Sequence, residues 1–312
     1  MNVTKILQPD AEPCGVPTTA TLGTFDGVHI GHRVILKRLV EKARETDTES
    51  VVVTFDRHPL TVVNPGRAPK LLSTLNEKIA VFETFGIDHV IVLEFTEEIS
   101  RMRAGEFLKR YLVDCLSLRN FVVGYDHHFG SDKVHTTDQL RDFETGYAIS
   151  VEIVPPVLMG GVVVKSSLIR ELIEGGDVER AAVLLDGGYS IAGTVVRGRG
   201  TGKQLGFPTA NIEPVEPAKA IPRNGVYAGW VEFGESRFNA VITIGPRPTF
   251  NISQELIEVH VPDISHEFYD RDIRVGFSQR LRDIVKFETE EALAGQIRRD
   301  IEKTRQFINH NQ

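Results

Sequence analysis

The sequence predicts two domains of different class: an α/β domain on a doubly wound parallel sheet over residues 1–186, then a small antiparallel β-barrel with a C-terminal helix over 187–312. Three observations carry this expectation. The length of 312 residues suits two domains. Strand-like and helix-like segments alternate in the first half, whereas the second half runs in period-two segments separated by turn residues. Between them, Asp186-Gly187-Gly188 makes a glycine-rich turn.

Short β-branched runs at 18–25, 50–55, 89–95, 120–125 and 150–154 predict the strands of the first domain. Between the first two, Ile35, Leu36, Leu39, Val40 and Ala43 recur at spacings of three and four, which makes one apolar helical face. Similar patterns predict helices over 77–85 and 104–116, with two shorter ones over 167–174 and 178–185. Such alternation implies right-handed crossovers between parallel strands and ligands bound at the carboxyl ends of those strands. Beyond the turn, period-two segments at 191–196, 226–233, 238–244, 256–261 and 273–277 follow one another without a crossover helix. A helical pattern returns only at 289–307. Many short strands of this kind predict a closed antiparallel barrel, capped by the terminal helix.

Composition narrows the function class. Hydrophobic residues make up 41% of the chain and charged residues 25%, enough for a packed core. A net charge of −7 argues against a surface that coats nucleic acid. Cys14 and Cys115 are far apart and form no C-x-x-C pair, which fits a reducing compartment rather than a disulfide framework or zinc site. No apolar stretch approaches the roughly 18–20 residues that span a bilayer. The first residues lack a positive stretch followed by an apolar run. A soluble, cytoplasmic protein is expected, with no nucleic-acid or membrane partner and its oligomeric state left open.

The strand ending at Gly23-Thr24-Phe25 runs into Asp26-Gly27-Val28-His29-Ile30-Gly31-His32 and then into the amphipathic helix. A glycine-rich loop that ends at a helix N-terminus offers free N–H groups and a positive dipole end, which suits phosphate. His29 and His32 can donate to phosphate oxygens and stabilise charge as pyrophosphate leaves an α-phosphate. Thr54-Phe55-Asp56-Arg57-His58-Pro59 and Gly124-Tyr125-Asp126-His127-His128-Phe129-Gly130 leave two further strands, and Lys165-Ser166-Ser167-Leu168-Ile169-Arg170 begins a helix. Taken singly, His127-His128 also reads as a solvated turn and Ser166-Ser167 as a simple cap. Together they converge where a doubly wound sheet binds ligands.

In the second half, Arg197-Gly198-Arg199-Gly200-Thr201-Gly202-Lys203 is not a Walker loop: three residues separate Gly198 from Gly202, and Gln204 follows the lysine. A basic, glycine-rich loop can still wrap phosphates with its N–H groups. Then comes Gly206-Phe207-Pro208-Thr209-Ala210-Asn211, where Thr209 and Asn211 face one side of an extended segment. Their oxygens are hard ligands suited to Mg²⁺ shared with ATP. On the alternating segment Leu256-Ile257-Glu258-Val259-His260, Glu258 shares a face with His260. If that face is the barrel interior, the carboxylate has a task such as general base; a solvent-facing pair is the alternative.

The whole set resembles the bacterial bifunctional riboflavin kinase/FAD synthetases. The first half is similar to the H-x-G-H nucleotidyltransferases through G-x-F-D-G-V-H-x-G-H, T-F-x-P-H-P, G-x-D-x-x-F-G and S-S-T-x-I-R. The second half resembles flavokinases through P-T-A-N, G-V-Y-A, I-G-x-R-P-T-F and I-E-V-H. The likeness runs from about Gly23 to Phe287. It implies a nucleotidyltransferase domain, 1–186, whose ATP meets Gly23, Phe25, Asp26, His29, His32, Asp126, Ser166, Ser167 and Arg170. It also implies a kinase domain, 187–312, with ATP at Gly198, Gly202, Lys203, Thr209 and Asn211, Mg²⁺ at Thr209 and Asn211, and Glu258 as base. Riboflavin would become FMN, and FMN would become FAD, with ATP consumed at two sites. Arg57 and Lys165 depart from the family's proline and serine, Ser167 from its threonine, and Lys133 stands where arginine is common.

Overall fold

The computed structural model describes residues 1–5, 15–134, 137–196, 206–246, 255–262 and 271–310. Its contacts divide the chain into two compact units, Met1–Ser166 and Ser167–Gln312.

The first unit runs β1 (Asn2–Lys5), β2 (Thr18–Leu22), α1 (Ile30–Glu45), β3 (Glu49–Phe55), α2 (Leu60–Val63), α3 (Leu75–Thr84), β4 (His89–Leu93) and α4 (Glu97–Arg101). It continues through α5 (Ala104–Phe107), which passes into a π-helical stretch at Leu108–Asp114, to β5 (Leu118–Gly124), α6 (Thr137–Tyr147) and β6 (Ser150–Val154). A small hairpin of β7 (Leu158–Met159) and β8 (Val162–Val163) follows. Six strands pair in parallel in the order β1-β4-β3-β2-β5-β6. The order reverses between β2 and β5, and that reversal opens the crevice where such sheets take ligands.

The strands are buried on both faces because their side chains alternate between two apolar layers. Val51 and Val53 join a cluster with Phe107, Leu112 and Phe121, whereas Val52 joins one with Leu36, Leu39 and Phe82. The predicted stripe of α1 is the buried one, with Leu36, Leu39, Val40 and Ala43 inside. Thr74 and Glu77 form a capping box that starts α3 sharply.

The second unit holds α7 (Ser166–Gly175) from Ser167 onward, then α8 (Val178–Leu185), β9 (Tyr189–Val196), β10 (Ala210–Pro214), β11 (Gly225–Phe233), β12 (Ser236–Pro246), β13 (Glu255–His260), β14 (Asp272–Arg282) and α9 (Glu290–His310). Six antiparallel strands close a barrel in the order β10-β13-β12-β11-β14-β9. Strict alternation fills its inside: Tyr189, Ile191 and Val195 are buried on β9, with Ile212, Tyr227, Ile242, Ile257, Val259 and Phe277 from the other strands. Arg282 on β14 donates to both carboxylate oxygens of the buried Asp300, which ties α9 to the barrel.

The compact units meet at 166/167, ahead of the turn near 186, because α8 packs on β9 and β14 of the barrel. One barrel strand is not among those the sequence pattern predicts. The barrel's sixth strand, β10, is the segment that carries Ala210 and Asn211.

Candidate active sites

In the first unit, Gly23–His32 leaves β2 and Gly124–Gly130 leaves β5, the two strands that flank the switch point. The loop after β2 is held in an uncommon shape: Phe25, Gly27 and Val28 have φ of 48°, 83° and 38°. Non-glycine residues in that region are costly and persist only where packing fixes them. Here Phe25 is buried edge-on against Phe82 and the His32 ring, and Val28 is buried beside them. Asp26 is also buried, and its Oδ1 accepts from the backbone N–H of Leu72 and Ser73. The side chains of Phe25 and Asp26 therefore shape the loop. Ser73 Oγ accepts from Gly27 N, and Ser166 Oγ donates to the Asp26 carbonyl.

His29 is the N-cap of α1, and its Nδ1 accepts from His32 N at 3.4 Å. An accepting Nδ1 leaves the ring proton on Nε2, the orientation a phosphate donor needs. The two imidazoles stack with centroids 3.7 Å apart. Burial pushes the His29 pKa down to about 4, although the Asp126 and Asp26 carboxylates pull the other way. His32 is likewise held well below the ordinary histidine value, by burial first and then by the charges of His29 and Lys78. Both rings are thus neutral near pH 7 and act as N–H dipoles rather than cations. His32 Nδ1 is shielded and has no hydrogen-bond partner among the described residues.

Asp126 stands exposed on the β5 loop, close enough to act on His29. The departures from the family pattern have local accounts. Arg57 pairs with Asp56 at 2.7 Å, Lys165 lies 5.9 Å from the centre of the Tyr125 ring, and Lys133 takes a left-handed φ of 51° in the turn after Gly130. Ser167 and Arg170 follow on α7 within the second unit, the first exposed and the second half-buried.

In the barrel, strand register brings together residues far apart in sequence. Asn211 lies directly opposite Glu258, and Glu258 directly opposite Thr243. Directly opposed residues on paired strands share a face, with Cβ atoms about 4.5–5.5 Å apart. Glu258 is half-buried, and desolvation raises its pKa above the ordinary carboxylate value. The interior face is that of Ile257 and Val259, so of the two placements open to Glu258 it takes the outer one. A barrel of six strands filled by aliphatic and aromatic side chains has no room for a carboxylate.

His260 Nδ1 lies 2.8 Å from the Pro208 carbonyl, and its ring meets Phe207 edge-on. This tie fixes the segment leading to Thr209, which is exposed at the start of β10. A groove of about 610 Å³ opens here, with Phe207, Pro208 and His260 on one side and Arg298, Glu302 and Arg305 of α9 on the other. Gly198, Gly202 and Lys203 lie outside the described residues. Sequence reasoning missed Ser73, Lys78 and Thr243. Each enters only through tertiary pairing, and none sits in a recognisable local pattern.

A parallel sheet with paired histidines at its switch point, and a barrel that sets an amide beside a carboxylate, define an enzyme of nucleotidyl and phosphoryl transfer. Residues 12–168 match the FAD synthetase family and residues 185–308 the riboflavin kinase family. A bifunctional riboflavin kinase/FMN adenylyltransferase from Pseudomonas fluorescens is 36% identical over 300 residues, spanning 96% of this chain and 94% of that protein. One of the same name from Escherichia coli K12 is 32% identical and spans 92% of each chain. The chain belongs to the bifunctional riboflavin kinase/FMN adenylyltransferase family. A solved structure titled as a macrolide-efflux protein from Streptococcus pneumoniae shares the fold, with TM-score 0.89 and 28% identity over 97% of this chain and 98% of that one. Among the described residues, no helix is long and apolar enough to cross a membrane.

Proposed function

We infer that the chain carries out two successive reactions: it phosphorylates riboflavin to FMN with ATP, then adenylylates FMN to FAD with release of pyrophosphate. The observation that carries the kinase half is the placement of Asn211 opposite Glu258 across β10 and β13. In that step the Glu258 carboxylate takes the proton of the ribityl 5′-hydroxyl. The freed oxygen attacks the γ-phosphorus of ATP, and ADP leaves. The raised pKa of Glu258 suits the role, since a base closer to neutrality matches the proton it receives.

Thr209 and Asn211 are the residues that would hold Mg²⁺. Among the described residues no cluster of three or more acidic, histidine or cysteine side chains could hold a metal. A hydroxyl and an amide oxygen fit a magnesium ion that takes its remaining ligands from phosphate and water. Bound there, Mg²⁺ would offset phosphate charge during transfer. The Gly198–Lys203 loop is assigned to the same phosphates.

In the sheet unit, a phosphate oxygen of FMN attacks the α-phosphorus of a second ATP, and the bond to the β-phosphate oxygen breaks. The α1 N-terminus, with Gly23 and the backbone of Phe25 and Asp26, gathers the triphosphate. His29 and His32 donate N–H bonds to oxygens on which charge accumulates. Asp126 borders this site from the β5 loop. Chromatography of riboflavin incubated with ATP and Mg²⁺ tests the assignment. FMN must appear first and FAD after it; FMN alone would leave only the kinase reading standing.

A further inference from the structure

Lys78 has no part in the reactions as described, yet it is a buried cation beside the histidine loop. It lies in the first turn of α3, and only 8% of it is exposed. Its ammonium donates to the Thr24 carbonyl at 3.0 Å, to Thr54 Oγ1 at 3.4 Å and to the Phe55 carbonyl at 3.5 Å. Thr24 opens the loop after β2, while Thr54 and Phe55 end β3. Lys78 thereby fastens the carboxyl ends of two adjacent strands at the mouth of the site.

All three acceptors are uncharged, which makes Lys78 an expensive tie if a tie is all it is. A buried ammonium is costly unless it meets an opposite charge. The carboxylates nearby are committed elsewhere. Asp26 accepts from the Leu72 and Ser73 amides, and Asp56 accepts from Phe95 N and from Arg57. Asp26 and Asp56 do support the charge of Lys78, but burial outweighs them and lowers its pKa to about 8. The cation also acts on His32, whose protonation it disfavours.

We propose that Lys78 is an electrostatic positioning residue for adenylyl transfer: its charge, set beneath the Thr24–His32 loop, holds that loop in shape and completes its balance when the ATP triphosphate enters. On this view the anion adds to the counter-charge that Asp26 and Asp56 supply only in part. Lys78 acts through Thr24 and through the field at the loop, and it makes no contact with the reacting atoms. The proposal rests on the assignment of adenylyl transfer to the histidine loop.

A sign follows for pH. Lys78 is charged below about pH 8 and loses its proton as pH rises through that value. His29 and His32 are already neutral throughout that range. For the free enzyme, kcat/KM for ATP in adenylylation should therefore fall above about pH 8, and Lys78 should own that limb.

The test uses full-length enzyme and FMN adenylylation from pH 6 to 10, with circular dichroism and thermal denaturation as the check on folding and riboflavin phosphorylation as the control for the other site. Lys78→Met should lower kcat/KM for ATP about 10–100-fold at pH 7 and abolish the fall near pH 8, with phosphorylation unchanged. Lys78→Arg, which stays charged across this range, should keep adenylylation and move the fall to higher pH. A parental rate in Lys78→Met, or a parental alkaline limb in either variant, would overturn the proposal. Should Lys78→Met not fold, the Lys78→Arg profile decides alone. Parental adenylylation in His29→Ala/His32→Ala would instead remove the site assignment beneath it.

Discussion

Replacing Glu258 by Gln separates a catalytic base from a structural glutamate, because the two roles predict opposite stability outcomes. Glutamine preserves the size of the side chain and its place between Asn211 and Thr243, and removes only its capacity to take a proton. General-base catalysis contributes about 100–10,000-fold, or about 3–5 kcal/mol of barrier at 1.36 kcal/mol per tenfold. Riboflavin phosphorylation should fall by that factor. FAD formation from supplied FMN should hold its parental rate. Stability should move differently. Burial raises the folded-state pKa of Glu258 above its unfolded value, so ionisation is disfavoured in the fold. The resulting cost is absent at low pH, where both states are protonated, and sets in as pH rises past the unfolded-state value. Glutamine removes that cost, and the melting temperature at pH 7 should stay level or rise. The kinase pH profile should also lose its acid limb, which in the parent starts above the pH of an ordinary glutamate. The assay pairs chromatography of flavin products with thermal denaturation. A folded variant that phosphorylates riboflavin at the parental rate, or one that loses stability while keeping its rate, would refute the assignment.

Other outcomes follow from the same geometry. His29→Ala/His32→Ala should lose FAD synthesis by at least about 100–1000-fold and keep FMN synthesis, as read by product chromatography. Because burial holds His29 near a pKa of about 4, adenylylation kcat/KM should stay level from pH 7 down to about 6; a limb near 6.5 would mean that an ordinary histidine controls the step. Asn211→Ala and Thr209→Ala should raise the Mg²⁺ concentration for half-maximal kinase activity by about 10–100-fold, and an unchanged requirement would place the metal elsewhere. A fragment of 187–312 should phosphorylate riboflavin, and one of 167–312 should do so with a higher melting temperature. The longer piece keeps Val178, Ala181, Leu184 and Leu185 of α8 buried; equal melting temperatures would show that α8 adds nothing to the barrel.

The parallel sheet was legible because two signals agreed: β-branched runs buried on both faces, and a helical stripe between them that the fold buries at Leu36, Leu39, Val40 and Ala43. What escaped was short or polar. The four residues of β1 form a sheet edge through backbone pairing, which leaves little trace in side-chain pattern. In β10 only Ile212 is buried, so the strand did not look like one although the motif it carries was plain. The rhythm of the sequence changes at Asp186-Gly187-Gly188. Compactness depends instead on which core a helix joins, and α8 turns its apolar face to the barrel.

The orientation of Glu258 shows where sequence pattern stops being sufficient. Alternation separates Glu258 and His260 from Ile257 and Val259, but it does not say which pair points inward. The barrel's own filling decides. Ile212, Ile242, Ile244 and Tyr227 need apolar partners across the lumen, and only Ile257 and Val259 can supply them from β13. Glu258 is thereby placed on a face where Asn211 and Thr243 flank it and desolvation is partial. A carboxylate in the lumen would be fully desolvated, protonated near neutral pH and unable to act as a base. One in open solvent would be too weak a base to match the proton it must take. The half-buried outer face lies between these limits, and it is the packing of the apolar face behind it that holds Glu258 there.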